Sequence, residues 1–193
     1  MPDLAPRLST TTLGSSPLRS AGRWMVSFLG FPLGGVTAWL IVGGVDNLAV
    51  ALTGGLITGA ILGAVQSWAL GRSGPPAIQW IAATAVGMMV GFGMGSEAVD
   101  YRTDLSSLIV QGAITGLVVG AAQAVVLWRR LGRLALAWPP ALAAYWAIGW
   151  LVTTVAGISV DQQFIVFGSS GAVVVTALTL VLPLTLNQTA AQA

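Results

Sequence analysis

Long, nearly unbroken apolar stretches dominate the chain and alternate with short polar turns. A helix needs about 20 apolar residues to cross the roughly 30 Å hydrocarbon core of a bilayer, and each stretch approaches that length. A transmembrane β-barrel does not fit, because barrel strands alternate apolar and polar positions over about 10 residues. The pattern predicts an all-α fold, a bundle of six transmembrane helices near residues 24–45, 48–70, 77–95, 107–128, 135–157 and 163–185.

Composition excludes a water-soluble fold. Of the 193 residues, 55% are hydrophobic and only 7% are charged, against about 25% charged residues in an ordinary soluble domain. So few charges cannot cover the surface of a globule of this size, so the lipid bilayer must surround most of it. We expect a transmembrane domain over residues 23–186, between a mobile, Ser/Thr/Pro-rich N-terminal tail at 1–22 and a C-terminal tail at 187–193.

The arginines predict how the bundle is oriented. Seven of them fall on one side, before the first helix or in the turns after the second and fourth: Arg7, Arg19, Arg23, Arg72, Arg129, Arg130 and Arg133. Arg102 lies on the other side, in a loop with Glu97, Asp100 and Asp104. Because cytoplasmic loops carry the excess of positive charge, both termini are expected in the cytoplasm. The expected location is a bacterial plasma membrane.

Two residue types near the predicted helix ends suit the membrane interface. Tryptophan is favoured at the headgroup level, and the candidates for such anchors are Trp24, Trp68, Trp80, Trp128 and Trp138. Arginines near the surface also contact anionic headgroups, and the candidates for that role are Arg72, Arg129, Arg130 and Arg133.

The second and fourth predicted helices carry nearly the same sequence. Residues 58–66 (TGAILGAVQ) align without gaps on residues 115–123 (TGLVVGAAQ), and a weaker copy starts at Ser170. A Val-Asp pair recurs in the outer turns, at residues 45–46, 99–100 and 160–161. The unit is a helical hairpin, and three are predicted, at about 23–72, 77–130 and 135–186. Hairpins of one polarity imply parallel repeats around an axis along the membrane normal.

Glycines at a spacing of four form a groove along one face of three predicted helices. They are Gly55, Gly59 and Gly63, then Gly87, Gly91 and Gly95, then Gly112, Gly116 and Gly120. A missing Cβ lets a neighbouring backbone come close, which matters in lipid because no hydrophobic drive brings helices together. The grooves serve either internal helix packing or homo-oligomer formation. On the fifth helix, Trp146 and Trp150 either fill such a groove or face lipid.

Two amides, Gln66 and Gln123, occupy equivalent positions near the cytoplasmic ends of the repeated helices. Exposing an amide to lipid is costly, so each is expected to find a partner. Either they form interhelical hydrogen bonds to each other or to backbone, or they line a shared cavity that recognises a neutral polar group. Thr58 and Thr115 are candidates for the same two roles, although a threonine hydroxyl also bonds its own helix backbone.

Three acidic residues, Asp46, Asp100 and Asp161, are expected at the outer rim of the bundle. They form either a weak site for a cation or a partner, or turns in which each carboxylate bonds the local backbone.

Missing residue types exclude most catalytic chemistry. The chain contains no His, no Cys and no Lys, which removes the usual zinc, copper, iron–sulfur and haem ligands, thiol nucleophiles, Schiff bases and the Ser-His-Asp triad. No charged residue falls inside a predicted span, which disfavours proton relays and ion-coupled transport. We expect no enzymatic activity, no cofactor, no metal site and no nucleic-acid partner.

At residues 59–72 and 116–130 the chain resembles a widespread group of small bacterial membrane proteins. Those proteins repeat a glycine-rich helix that ends Gln-Trp-x-x-Leu-Arg-Arg. The match covers less than half of the chain and departs from the pattern where Ser67 follows Gln66 and Ala124 follows Gln123. The group carries no established activity, so the resemblance implies the hairpin-repeat architecture and no ligand.

The predicted function is an assembly or packing subunit of a membrane complex, or a homo-oligomer. Long glycine grooves and spans without charge favour it. Two alternatives stay open. One is a permease or channel-like facilitator for a small neutral or apolar solute, with Gln66 and Gln123 lining the path. The other is a binder of lipid, quinone or carotenoid between the helices.

Overall fold

A computed structural model describes residues 17–158, 160 and 167–192. The regular structure in those ranges is all helical. The α-helices are α1 (Pro17–Val26), α2 (Gly30–Val42), α3 (Leu48–Leu70), α4 (Ala77–Ala98), α5 (Leu105–Leu131), α6 (Trp138–Val155), α7 (Ser169–Leu178) and α8 (Val181–Gln192). Short 3₁₀ segments link α1 to α2 (Ser27–Leu29), extend α3 (Gly71–Ser73) and link α5 to α6 (Gly132–Ala137).

Five helical segments of the described chain are long and apolar enough to cross a membrane. They are Pro17–Val42, Leu48–Ser73, Ala77–Ala98, Leu105–Val155 and Ser169–Thr189. At this level, the prediction of an all-helical, multi-pass membrane protein is confirmed. The longest segment, of 51 residues, contains both α5 and α6 with the 3₁₀ turn between them. A count of six crossings therefore stays a prediction.

Successive helices pack antiparallel to each other. A Cβ atom built on Gly112 of α5 lies nearest to Trp150 of α6, whereas one built on Gly120 lies nearest to Pro139. The order along α5 is therefore the reverse of the order along α6. The same reversal relates α2 to α3, α3 to α4, α4 to α5 and α6 to α7.

The backbones come closest along the three glycine rows, whose nine members are all buried. A Cβ on Gly59 would lie 2.7 Å from the carbonyl oxygen of Thr84, and one on Gly116 would lie 2.5 Å from that of Leu142. Both distances are far inside van der Waals contact, and a backbone oxygen cannot rotate away as a side chain does. These two helix–helix contacts therefore accommodate glycine and no residue with a side chain.

The first and last described helices also contact each other, so the bundle closes into a ring. The indole Nε1 of Trp24 donates to the carbonyl oxygen of Thr176 at 3.1 Å and to Thr179 Oγ1 at 3.2 Å. Next to it, the rings of Phe31 and Phe167 pack with their centroids 5.3 Å apart. Around the ring, the α1–α2 segment, α3, α4, α5, α6 and the α7–α8 segment follow one another in chain order.

The two ends of the ring differ in charge. The basic end carries the turns after α3 and α5, with Arg23, Arg72, Arg129, Arg130 and Arg133. The acidic end carries the turns after α2 and α4, with Asp46, Glu97, Asp100 and Asp104 beside Arg102.

The helices extend into both predicted tails. Helix α1 begins at Pro17, within the predicted tail 1–22, and α8 continues to Gln192, within the predicted tail 187–193. Proline suits the first helical turn, because its missing N–H would have no intrahelical acceptor there. The rest of the predicted N-terminal tail, residues 1–16, lies outside the described residues.

We expect Gly116→Ala to lower the free energy of unfolding by about 1–3 kcal/mol, because its methyl group would overpack against the α6 backbone. The matched control is Gly22→Ala in α1, where an added Cβ meets nothing within 4 Å. Alanine replaces a helical glycine there without a clash, so the control should be neutral or slightly stabilising. Thermal unfolding of both variants in detergent measures the difference, and equal melting temperatures would contradict this account of the crossing.

Candidate functional site

Three tryptophans inside the basic half of the ring direct their N–H groups to neighbouring helices. Trp24, Trp80 and Trp138 are buried, so the interpretation of these three as interface anchors is wrong. Trp68 and Trp128 are about half exposed near their helix ends, where an anchor belongs. A buried indole donor needs an acceptor. We call the three buried indoles and the side chains that they bond the polar layer.

Gln123 of α5 has partners on both of its polar atoms. Its Oε1 accepts from Trp138 Nε1 at 2.7 Å, and its Nε2 donates to Thr84 Oγ1 at 3.0 Å. The Thr84 hydroxyl in turn donates to the carbonyl oxygen of Trp80 at 2.9 Å. One amide therefore joins α5 to α4 and to α6.

The other two indoles reach neighbouring helices in the same way. Trp80 of α4 donates to Gln66 Oε1 of α3 at 3.3 Å, and Trp24 of α1 reaches Thr179 after α7. Gln66 and Gln123 therefore do form interhelical hydrogen bonds, but to indoles, and in the case of Gln123 also to a hydroxyl, rather than to each other. Each bond links two elements that are adjacent around the ring.

Gln66 and Gln123 also line a small cavity on the axis of the ring. Each ring segment contributes to its wall, for example through Phe31, Leu62, Trp80, Val119, Trp146 and Val175. The free volume is about 10 Å³, which is about the space that one water molecule needs. A water there would meet amide, indole and hydroxyl groups. Larger guests such as a quinone or a carotenoid do not fit into this volume.

The two threonines of the repeated segment lie further toward the acidic end. Thr115 Oγ1 donates to the carbonyl oxygen of Gln111 at 2.8 Å and also lies 3.2 Å from that of Gly91 on α4. Thr58 is fully buried, and its hydroxyl has no hydrogen-bond partner among the described residues. Neither threonine belongs to the wall of the axial cavity.

The aromatic ridge of α6 packs against a glycine row. A Cβ on Gly112 of α5 would collide with the indole of Trp150 and would lie 3.0 Å from the carbonyl oxygen of Trp146. Both indoles are buried. They pack edge to face against the ring of Phe167, at centroid distances of 5.1 Å for Trp146 and 5.4 Å for Trp150. Of the two alternatives for this ridge, groove filling is what the contacts show.

Two of the three predicted outer aspartates, Asp46 and Asp100, lie in turns that bond locally. Asp46 accepts from the side-chain amide of Asn47 at 2.6 Å, and Asn47 caps α3 by accepting from the Val50 N–H at 3.0 Å. Asp100 adopts a φ of 52° in the turn after α4. Asp161 lies outside the described residues. Within the described part of the chain, no group of three acidic side chains is arranged to hold a metal ion.

Two titratable groups in the turn after α4 have shifted pKa values. Hydrogen bonds from Ser106 and Ser107 lower the pKa of Asp104, which caps α5 by accepting from the Ser107 N–H at 3.1 Å. Burial, followed by a hydrogen bond to Glu97 and the charge of that carboxylate, raises the pKa of Tyr101 to about 12. Both shifts favour the state in which the turn keeps its local bonds.

Arg23 at the basic end is half-buried, whereas Arg72, Arg129, Arg130 and Arg133 are exposed. Two of these five arginines contact the ends of helices. Arg130 donates from Nη1 to the carbonyl oxygen of Ser73 at 3.2 Å. The sequence alone did not predict a role for Arg23 beyond topology. Its guanidinium lies 4.8 Å from the centre of the Trp68 ring and bonds the carbonyl oxygen of Trp68. Arg72 and Arg133 are exposed on the same end.

We expect Gln123→Met to destabilise the protein by about 1–3 kcal/mol, because it leaves the Trp138 donor without its acceptor inside the bundle. Combined with Trp138→Phe, it should show a coupling energy of roughly 0.6–2 kcal/mol in a double-mutant cycle. The control is Gln188→Met, which changes an exposed amide on α8. Additive effects of the two substitutions would show that the bond contributes nothing to stability.

Comparison of the chain with protein-family models, with curated proteins and with solved structures finds no match in any of the three.

Proposed function

We propose that this protein is a non-enzymatic protein of a bacterial plasma membrane that crosses the bilayer six times and serves as a packing partner in a larger membrane assembly. The observation that carries the proposal is the closed interior. Six helical segments share an axial space of only about 10 Å³, so the axis of the described bundle has no room for a solute or a cofactor. We therefore place the interactions of the protein on its outer surface.

Six crossings are supported by the way α5 and α6 pack. They lie side by side and antiparallel over their whole glycine row, so the 51-residue segment folds back on itself. A single straight helix of that length would greatly exceed the thickness of a bilayer, at about 1.5 Å of rise per residue. The turn at Gly132, with φ of 53°, then lies at the membrane surface.

Three related hairpins are supported by equivalent contacts. Trp24, Trp80 and Trp138 recur at similar intervals, and each donates to a polar group on a neighbouring element of the ring. Gly34 and Gly91, one hairpin apart, face the carbonyl oxygens of Thr58 and Thr115 in the same manner. The positive charge at the basic end supports an orientation with both termini in the cytoplasm.

Topology is directly testable, because the chain contains no Cys and any introduced thiol is a unique reporter. We expect a membrane-impermeant maleimide to label Arg133→Cys only in inside-out vesicles and Asp46→Cys only in right-side-out vesicles. Both positions are exposed, in turns at opposite ends of the ring. If Arg133→Cys were shielded from both sides, Leu105–Val155 would be one embedded segment and the six-crossing proposal would fail.

A shallow groove on the outside of the ring is the surface where we expect a partner. It has a volume of about 550 Å³ and lies between α3 and α4 toward the acidic end. Its wall is apolar except at Glu97, and it consists of Leu48, Leu52, Val90, Gly93, Met94, Glu97 and Ala98. A transmembrane helix with one polar residue near its end would complement this surface.

Photo-crosslinking in native membranes tests the assembly role. We expect p-benzoylphenylalanine at Val90, in the groove, to give a discrete protein adduct. The control position is Val173 on α7, outside the groove, which is exposed to the same extent as Val90, at 38% against 37%. The same group there should give lipid adducts alone. Lipid adducts alone at both positions would contradict the proposal.

Solute flux separates this function from a facilitator. Liposomes that contain the protein should be no more permeable to glycerol than protein-free liposomes. If the protein did conduct glycerol, and if the double variant Gln66→Leu with Gln123→Leu abolished that flux, the assembly role would be wrong and the function would be facilitated permeation along the axis.

A further inference from the structure

We propose that a pocket at the basic end binds the phosphate of an anionic lipid headgroup. The pocket lies where the turn before α4 meets the last turns of α5 and the end of α8, and its volume is about 450 Å³. Arg129, Arg130, Gln79 and Thr189 supply its polar wall, and Val126 with the two prolines before α4 supplies its apolar wall.

The pocket is positively charged, and no carboxylate side chain of the described residues lies beside it. Arg129 and Arg130 both line the space, and none of the lining residues is acidic. The carboxylates of the described residues, Asp46, Glu97, Asp100 and Asp104, belong to the turns at the opposite end of the ring. An anion is therefore the charge that this pocket complements, and a phosphate accepts the paired N–H donors of a guanidinium.

The start of α4 lies beside the same wall, to which it contributes Pro76 and Gln79. Pro76 precedes the helix, and the first N–H groups of a helix, here those of Ala77 and Ile78, have no intrahelical acceptor. The positive end of the helix dipole lies at this point. Gln79, exposed in the first turn, adds a side-chain amide that can donate.

The surroundings of the pocket favour a lipid as the source of the phosphate. Ile78 and Val125, which neighbour lining residues in the chain, are 74% and 75% exposed. Large apolar side chains so exposed on a membrane protein face acyl chains. An acyl chain beside them would bring its headgroup to the level of Arg129 and Arg130.

This inference rests on the membrane placement proposed above but not on the assembly role. It concerns the isolated chain, so lipid binding can be measured on protein that has lost or never met a partner. A chain that fails to crosslink through the α3–α4 groove can still retain lipid, and the two failures are distinguishable.

The test uses the full chain purified in neutral detergent, with native mass spectrometry and thermal unfolding as readouts. We expect retention of, and stabilisation by, phosphatidylglycerol but not phosphatidylcholine. Arg129→Gln with Arg130→Gln should weaken phosphatidylglycerol binding roughly 10- to 30-fold. The matched control, Arg72→Gln with Arg133→Gln, removes the same charge from the same end. The sequence made these two arginines candidates for headgroup contact as well, but neither lines the pocket, so this variant should retain phosphatidylglycerol like the wild type. Equal loss in both double variants would reduce the effect to general surface charge and overturn the proposal.

A second variant keeps the test independent of the arginine substitutions. Val126→Trp narrows the pocket without altering any charge, and it should weaken phosphatidylglycerol retention severalfold. Retention unchanged in this variant would place the lipid elsewhere and overturn the proposal. Inorganic phosphate distinguishes a lipid headgroup from a free phosphate as the ligand. If millimolar phosphate fails to displace the lipid, the headgroup assignment is supported. If phosphate alone displaces the lipid and stabilises the protein, the pocket is a site for a soluble anion and the lipid assignment is overturned.

Discussion

Close approach of helix backbones is the constraint on which the rest of this structure depends. In a bilayer, helices do not gain free energy by leaving water, so packing at short range has to hold them together. Gly116 and Gly59 illustrate how that range is reached, since a single methyl group at either position would meet a carbonyl oxygen of the next helix. Helix α5 presents its glycines to α6 and presents Thr115 and Val119 to the glycines of α4. Both of its contact faces are thereby occupied within one molecule, and these grooves are not open to a second copy.

The polar layer fixes the relative position of neighbouring helices, which packing alone does not determine. Contacts along a glycine row permit two helices to slide along each other and to rotate about their axes. The hydrogen bond between Trp138 and Gln123 forms only when α5 and α6 have one axial position and one rotation relative to each other. Leaving either group unpaired in the bundle would be costly. The hydrogen bonds of the three indoles therefore fix the register of neighbouring helices. The axial cavity is small because the same rings occupy the centre.

The sequence predicts the parts of this architecture that depend on local pattern. Apolar run lengths indicate the helices, and spacing-of-four glycines identify faces that are in fact buried. The role of Trp24, Trp80 and Trp138 could not be read in this way, because a tryptophan near a helix end looks the same whether it faces headgroups or a neighbouring helix. Which one applies depends on the distance between backbones, which is a tertiary property. The phosphate pocket is likewise assembled from α4, α5 and α8, and no single stretch of sequence contains it.

The bond between Trp24 and Thr179 joins residues from opposite ends of the described chain. Ribosomes release the N-terminal part first, so the Trp24 indole enters the membrane long before its acceptor has been synthesised. Until then, that N–H group faces solvent, headgroups or a temporary partner. The incomplete bundle is an open arc of helices, and the helix at each end of the arc has a neighbour on one side only. Ring closure therefore cannot precede the synthesis of α7 and Thr179, and until then the first helix lacks its neighbour on one side.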